Sequence, residues 1–156
     1  MSPFRHHASH VISADALVLD ADHRALDKAL RWLDEIASKR QWESTLRHAL
    51  TLCLDEALNN ILMHAVRHDE HGGGPAIAVE IHCTTYNDRV ELKLTDNGPP
   101  FDPTHVMPLP PAGCIAQAKP GGNGLRLIRH YADALQYTHK AGRNHFSMLK
   151  NTQPSS

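Results

Sequence analysis

Hydrophobic positions follow two different rhythms along this chain. In the first half they recur every three or four residues. Leu26, Leu30, Leu33 and Ile36 form one stripe, and Leu46, Leu50, Cys53, Leu54, Ala57, Leu58, Ile61 and Ala65 form a second. That spacing predicts two amphipathic helices. Asp20 or Asp22 is placed to cap the first, which should run to about Lys39; the second should run from near Ser44 to about Arg67. Gly72, Gly73, Gly74 and Pro75 then end the helical region. Downstream the rhythm becomes strict alternation. Ile77, Val79, Ile81 and Cys83 alternate with Ala78, Glu80, His82 and Thr84, and Val90, Leu92 and Leu94 alternate with Glu91, Lys93 and Thr95. These are two strands with one buried face each, joined by a turn at Tyr86-Asn87-Asp88.

The remaining segments are less regular. Val11 to Leu19 is mixed and fits a short edge strand. Residues 99–120 hold seven prolines and little periodicity, and so long a connection is either functional or disordered. A short helix over about Asn123 to Ala132 follows, then strands over Leu135–His139 and Asn144–Leu149 that turn at Ala141-Gly142. The order predicts an α+β fold: a two-layer α/β sandwich with helices on one face of a mixed, largely antiparallel sheet.

Length and composition narrow the class. The 156 residues, 41% of them apolar, suit a single domain spanning 1–156 with an ordered core over about 15–150 and a loose tail at 151–156. A net charge of -1 argues against direct nucleic-acid binding. The N-terminus shows no apolar signal segment, and no apolar run approaches the roughly 20 residues that span a bilayer. The expectation is a soluble, cytoplasmic protein with no membrane partner. Cys53, Cys83 and Cys114 form no CxxC pair and read as reduced, mostly buried thiols. His64, His68 and His71 have a spacing that could hold a metal on a helix, but no cysteine or carboxylate completes a ligand set; solvated histidines are the alternative.

Three polar clusters interrupt the pattern. On the second helix, Glu56, Asn60 and His64 lie four residues apart, so each sits one turn above the last. Glu56 and Asn60 flank the apolar stripe, His64 falls within it, and Asn59 points away. A carboxylate and an amide at the edge of a buried face need satisfying; a Mg²⁺ ion on the Asn60 oxygen and a proton accepted by Glu56 would do so, and polar flank residues are the plainer reading. In the second cluster, Asp96 continues the parity of Val90, Leu92 and Leu94 onto the buried face. A buried carboxylate requires a donor, for which an adenine amine is suited, and Gly98 would let the backbone approach a flat ring. A strand-ending Asp-Asn-Gly turn is the alternative. The third, Gly121-Gly122-Asn123-Gly124-Leu125, opens a helix whose N-terminal N–H groups attract phosphate, or is a flexible loop with a cap.

Together and in this order, the clusters resemble the motifs of the GHKL (Bergerat-fold) ATPases. The E-x-x-x-N-x-x-x-H-A pattern reads Glu56, Asn60, His64, Ala65; D-x-G-x-x-F reads Asp96, Gly98, Phe101; G-x-G-L reads Gly122, Gly124, Leu125. The resemblance spans about Asp15 to Lys150. The stretches DNGPPFDP and GRNHFSMLK are similar to the stand-alone anti-sigma-factor serine/threonine-protein kinases in particular. The resemblance implies ATP and Mg²⁺ as cofactors, Glu56 as catalytic base, Asn60 as Mg²⁺ ligand, and Asp96 as adenine anchor. It further implies that His64, Gly98, Phe101, Gly122, Asn123, Gly124 and Leu125 contribute to the nucleotide site. The connection 99–120 would be a lid, from which Lys119 reaches a phosphate, as could Arg126 from the next helix; solvated charges are the alternative. Implied partners are a STAS-domain anti-anti-sigma protein and a sigma factor, with the active unit a homodimer. An ATP-binding anti-sigma module with little turnover, or a switch kinase controlling a non-sigma effector, would carry the same motifs.

Overall fold

Both helical stripes and both alternating faces need a common apolar partner, and the structure gives them one. The computed structural model describes residues 2–4, 9–70, 72, 76–104 and 124–152, and of residues 67–70 and 124 the backbone alone. In chain order it comprises β1 (Val11–Asp20), α1 (Ala25–Lys39), α2 (Ser44–Glu70), β2 (Ala78–Tyr86), β3 (Arg89–Asp96), α3 (Gly124–Tyr131), β4 (Ala134–Lys140) and β5 (Arg143–Asn151). Among the described residues the five strands form one sheet in the order β1-β2-β3-β5-β4. The core lies between the helices and one sheet face: Leu33, Leu50, Leu54 and Leu58 pack with Ile81, Leu92, Leu94 and Met148, all essentially without exposure.

The sheet differs from the mixed one expected, because every described pairing is antiparallel. The crossover through α3 does bring β4 back parallel to β3, but β5 inserts between them, so no parallel pair is hydrogen-bonded. The first strand is longer than expected, ten residues instead of a short edge piece. Its outward positions Ile12, Ala14, Ala16 and Val18 are apolar yet exposed, which blurs the alternation that marks a strand. Helix α1 also starts later than an Asp20 or Asp22 cap implies. Asp22 spends its carboxylate on the Arg24 N–H, 2.8 Å away, making a turn before the helix. Arg24 then occupies the N-cap with no side-chain cap bond.

Other local features follow the pattern. Ala141 and Gly142 take positive φ of 54° and 73°, as a two-residue hairpin turn requires. Inward-facing residues align in rows across the strands: Leu17, Ile81, Leu94, Phe146 and Tyr137 form one, and Leu19, Val79, Asp96, Asn144 and His139 the next. The second row ends the apolar face on polar groups. Burial pushes the Cys53 and Cys83 thiols up to about 12, the inert state expected of core thiols. Cys114 and His71 lie outside the described residues, as does the His68 side chain, and no cluster of three metal-ligating side chains occurs among those described. No helix among the described residues is long and apolar enough to cross a membrane.

Leu58 is fully enclosed where α2 meets the sheet, whereas Val18 is 70% exposed. Leu58→Ala should cost about 2–5 kcal/mol in urea unfolding. Val18→Ala should stay within about 0.5 kcal/mol. Equal effects would contradict this placement of the core.

Candidate functional site

The polar end of the inner sheet face is where the site forms. Asp96 closes β3 on the buried side, 9% exposed. The register sets Asn144 of β5 directly opposite it. Asp96 Oδ1 accepts from Gly98 N at 2.9 Å and from Asn144 Nδ2 at 3.0 Å. Its second oxygen, Oδ2, has no protein donor among the described residues, so one acceptor of a buried carboxylate is left for a ligand.

Asn144 ties down the following loop as well. Its amide also points donors at Pro99 O, 2.9 Å away, and Gly98 O, 3.3 Å away. Its Oδ1 accepts from the Tyr137 hydroxyl and, at 3.3 Å, from Phe101 N. Phe101 N donates in addition to the Tyr137 oxygen at 3.1 Å. Burial holds the Tyr137 phenol above its ordinary value, so it remains a donor. Gly98 also leaves little room for a side chain: a Cβ there would lie 3.0 Å from Asp96 Oδ1 and 3.3 Å from Ile77 Cδ1.

Helix α2 supplies the facing wall. Asn60, His64, Ala57 and Ile61 line one cleft with Asp96, Gly98, Phe101, Ile77 and Phe146. Asn59, as its helical angle implied, turns away and donates to Asp55 Oδ1 at 2.8 Å. The His64 ring packs on the Phe101 ring with centroids 3.9 Å apart. With that ring in place the enclosed volume is about 40 Å³, room for about three waters.

The sequence-predicted residues thus divide. Asn60, His64, Asp96, Gly98 and Phe101 meet at the cleft. Glu56 sits one turn before Asn60 on α2 but does not line it; burial first, then the Asp55 charge, raises its pKa above the ordinary glutamate value. Leu125 packs in the core, and Gly124 opens α3. Gly122, Asn123, Lys119 and residues 105–120 of the expected lid lie outside the described residues. Arg126 is exposed. Asn144 and Tyr137 were not anticipated. Asn144 carried the same signal as Asp96, a polar residue sharing the parity of the buried Phe146 and Met148.

The site is thus a half-satisfied carboxylate at the sheet end of a two-layer sandwich, facing an Asn and a His on α2. Residues 19–150 match the family described as histidine kinase-like ATPase domain, and the chain belongs to that family. It is 40% identical over 144 residues to the serine/threonine-protein kinase BtrW of Bordetella bronchiseptica, covering 91% of this chain and 96% of that protein. It is 26% identical over 114 residues to the serine-protein kinase RsbW of Bacillus subtilis, covering 70% and 68%. The fold also matches a chain of the SiaB–SiaC complex from Pseudomonas aeruginosa, with a TM-score of 0.55 at 13% identity and 90% coverage of each chain. Within its family the chain stands among the serine/threonine-protein kinases.

Asn144→Ala removes one of the two donors to Asp96 and the anchor of the Pro99 and Phe101 backbone. It should lower stability by about 1–3 kcal/mol in chemical unfolding, and amide exchange at Gly98 and Phe101 should accelerate. Unchanged exchange there would show that Asn144 does not hold the loop.

Proposed function

We propose that the chain binds ATP with Mg²⁺ and phosphorylates a serine or threonine of a STAS-domain anti-anti-sigma protein, holding a sigma factor in the alternative state of the switch. The observation that carries the ATP reading is the free Oδ2 of Asp96 in a cleft with apolar walls. An adenine amine supplies the missing donor, and Ile61, Ile77 and Phe146 suit the faces of a purine. RsbW and BtrW carry protein-kinase names, and the SiaB–SiaC structure is a two-protein complex; both support a protein as acceptor.

The residues present fit Mg²⁺. The Asn60 amide lines the cleft and has no hydrogen-bond partner among the described residues. Mg²⁺ commonly takes only one or two protein ligands and completes its shell with phosphate oxygens and water. When bound, the ion would neutralise phosphate charge during transfer. Asn60 would hold it, while Asp96 fixes the base and His64 with Phe101 covers the cleft. Glu56, one helical turn from Asn60, would accept the proton of the attacking hydroxyl. Its raised pKa makes it a stronger base than an ordinary glutamate.

The homodimer rests on the resemblance, with the open edge of β1 and its exposed Val11, Ile12 and Val18 as a surface a second copy can cover. Glu56 standing outside the cleft lining is the one observation favouring a second reading, an ATP-set binding module with little turnover.

The mutants separate these readings. Asp96→Asn should weaken ATP binding in calorimetry, and wild-type affinity in a folded mutant would remove the adenine assignment. Asn60→Ala should lose Mg²⁺-dependent ATP binding. Glu56→Ala should keep ATP and partner binding yet lose radiolabel transfer to a STAS partner by roughly 10²–10⁴-fold. Wild-type transfer by that mutant would refute the base; absence of transfer by the wild type would favour the module. Because a base works only when deprotonated, the rate should fall as pH drops through the Glu56 pKa, at a midpoint above the ordinary glutamate value. A sigma factor recovered with the STAS partner supports the sigma reading; another effector in its place supports a switch kinase.

A further inference from the structure

A second cleft lies at the opposite end of the sandwich. Register places Thr85 of β2 beside Val90, at the far end of β3 from Asp96. There the α1–α2 connection, the first turns of α2, the β2–β3 turn and the end of β5 line an open cleft of about 980 Å³, the size of a ligand site. Three polar atoms of residues lining it are buried with no hydrogen-bond partner among the described residues: Arg40 Nε, Trp42 Nε1 and Thr85 Oγ1. The first two groups can only donate. Thr85 is 6% exposed. Its hydroxyl neighbours the Cys83 thiol, a weak partner, without a hydrogen bond of normal geometry. Buried donors without acceptors are rare in folded proteins, and each calls for a ligand or a water.

Charge specifies what kind of acceptor fits. Arg40 has no ion-pair partner among the described residues. Helix α2 begins at Ser44 with no acidic residue in its first turn, and Thr45 and Leu46 of that turn line the cleft. The unsatisfied N–H groups at a helix start favour an anion. Lys150 adds a cation. Of the two acidic residues at the cleft, Asp133 is already engaged by Asn151 N at 2.7 Å and by Lys150 at 3.8 Å, and Glu43 is exposed. His48 and His130 also line the cleft.

We propose that this cleft is a second ligand site, separate from the nucleotide cleft, for a small anion that presents carboxylate or phosphate oxygens to Arg40, Trp42 and Thr85. Trp42 provides a direct reporter, because the chain has two tryptophans and Trp32, on α1, does not line the cleft. The full chain, labelled with ¹⁵N, is titrated with citrate and separately with inorganic phosphate, against sodium chloride at matched ionic strength. The Trp42 indole N–H resonance should shift saturably with at least one probe, and the Trp32 resonance should not. Which probe binds identifies the carboxylate or the phosphate class. Arg40→Met should weaken that binding about tenfold or more, since a charge-assisted hydrogen bond is lost. Thr85→Val, which keeps shape and removes the hydroxyl, should weaken it independently. Asp96→Asn should bind the anion as the wild type does, so failure of the nucleotide reading leaves this test intact. No saturable shift at Trp42 with either probe, a shift equalled by sodium chloride, or full affinity in both Arg40→Met and Thr85→Val overturns the proposal.

Discussion

A carboxylate buried at the end of an apolar strand face is costly, and much of the site is arranged around relieving that cost. Asp96 cannot move outward, because Val90, Leu92 and Leu94 of the same strand are held in the core. Its Oδ1 is satisfied from two directions, by the backbone of Gly98 and the side chain of Asn144. Those two bonds shape the chain beyond β3. A Cβ on Gly98 would crowd the same oxygen, at 3.0 Å. Asn144 reaches past Asp96 to the Pro99 carbonyl and Phe101 N–H, so the exit of the loop is fixed by the residue that satisfies the carboxylate.

Helix α2 serves both core and site. Leu50, Leu54 and Leu58 face the sheet with no appreciable exposure, while Asn60 and His64 reach the cleft. Because one rigid helix carries both sets, core packing sets the distance between the α2 wall and Asp96. Phe101 lines the same cleft, 42% exposed, with its ring tilted by 43° against that of His64.

Much of this was legible in the sequence where burial is one-sided. Alternation placed β2 and β3, and it placed Asp96 on the buried face because its parity matched three apolar neighbours. The same argument reached Asn60 and His64 through helical spacing. It failed where two faces are alike: β1 carries apolar residues on its exposed side and was read as shorter than it is. It failed again where a side chain had two local uses, since Asp22 makes a turn instead of capping α1. Asn144 escaped because its partner comes from another strand. Its parity was visible, but the register that sets it opposite Asp96 depends on β5 inserting between β3 and β4, a long-range choice that no local pattern encodes.

The central claim is that Asp96 Oδ2 receives the adenine amine. It is tested most directly by changing the ligand and leaving the protein intact. Calorimetry would compare ATP with purine riboside triphosphate, which lacks the 6-amino group, under the same Mg²⁺ concentration. Loss of a hydrogen bond to a buried carboxylate predicts binding weaker by roughly 10- to 100-fold for the analogue. Equal affinity for the two nucleotides would contradict the account.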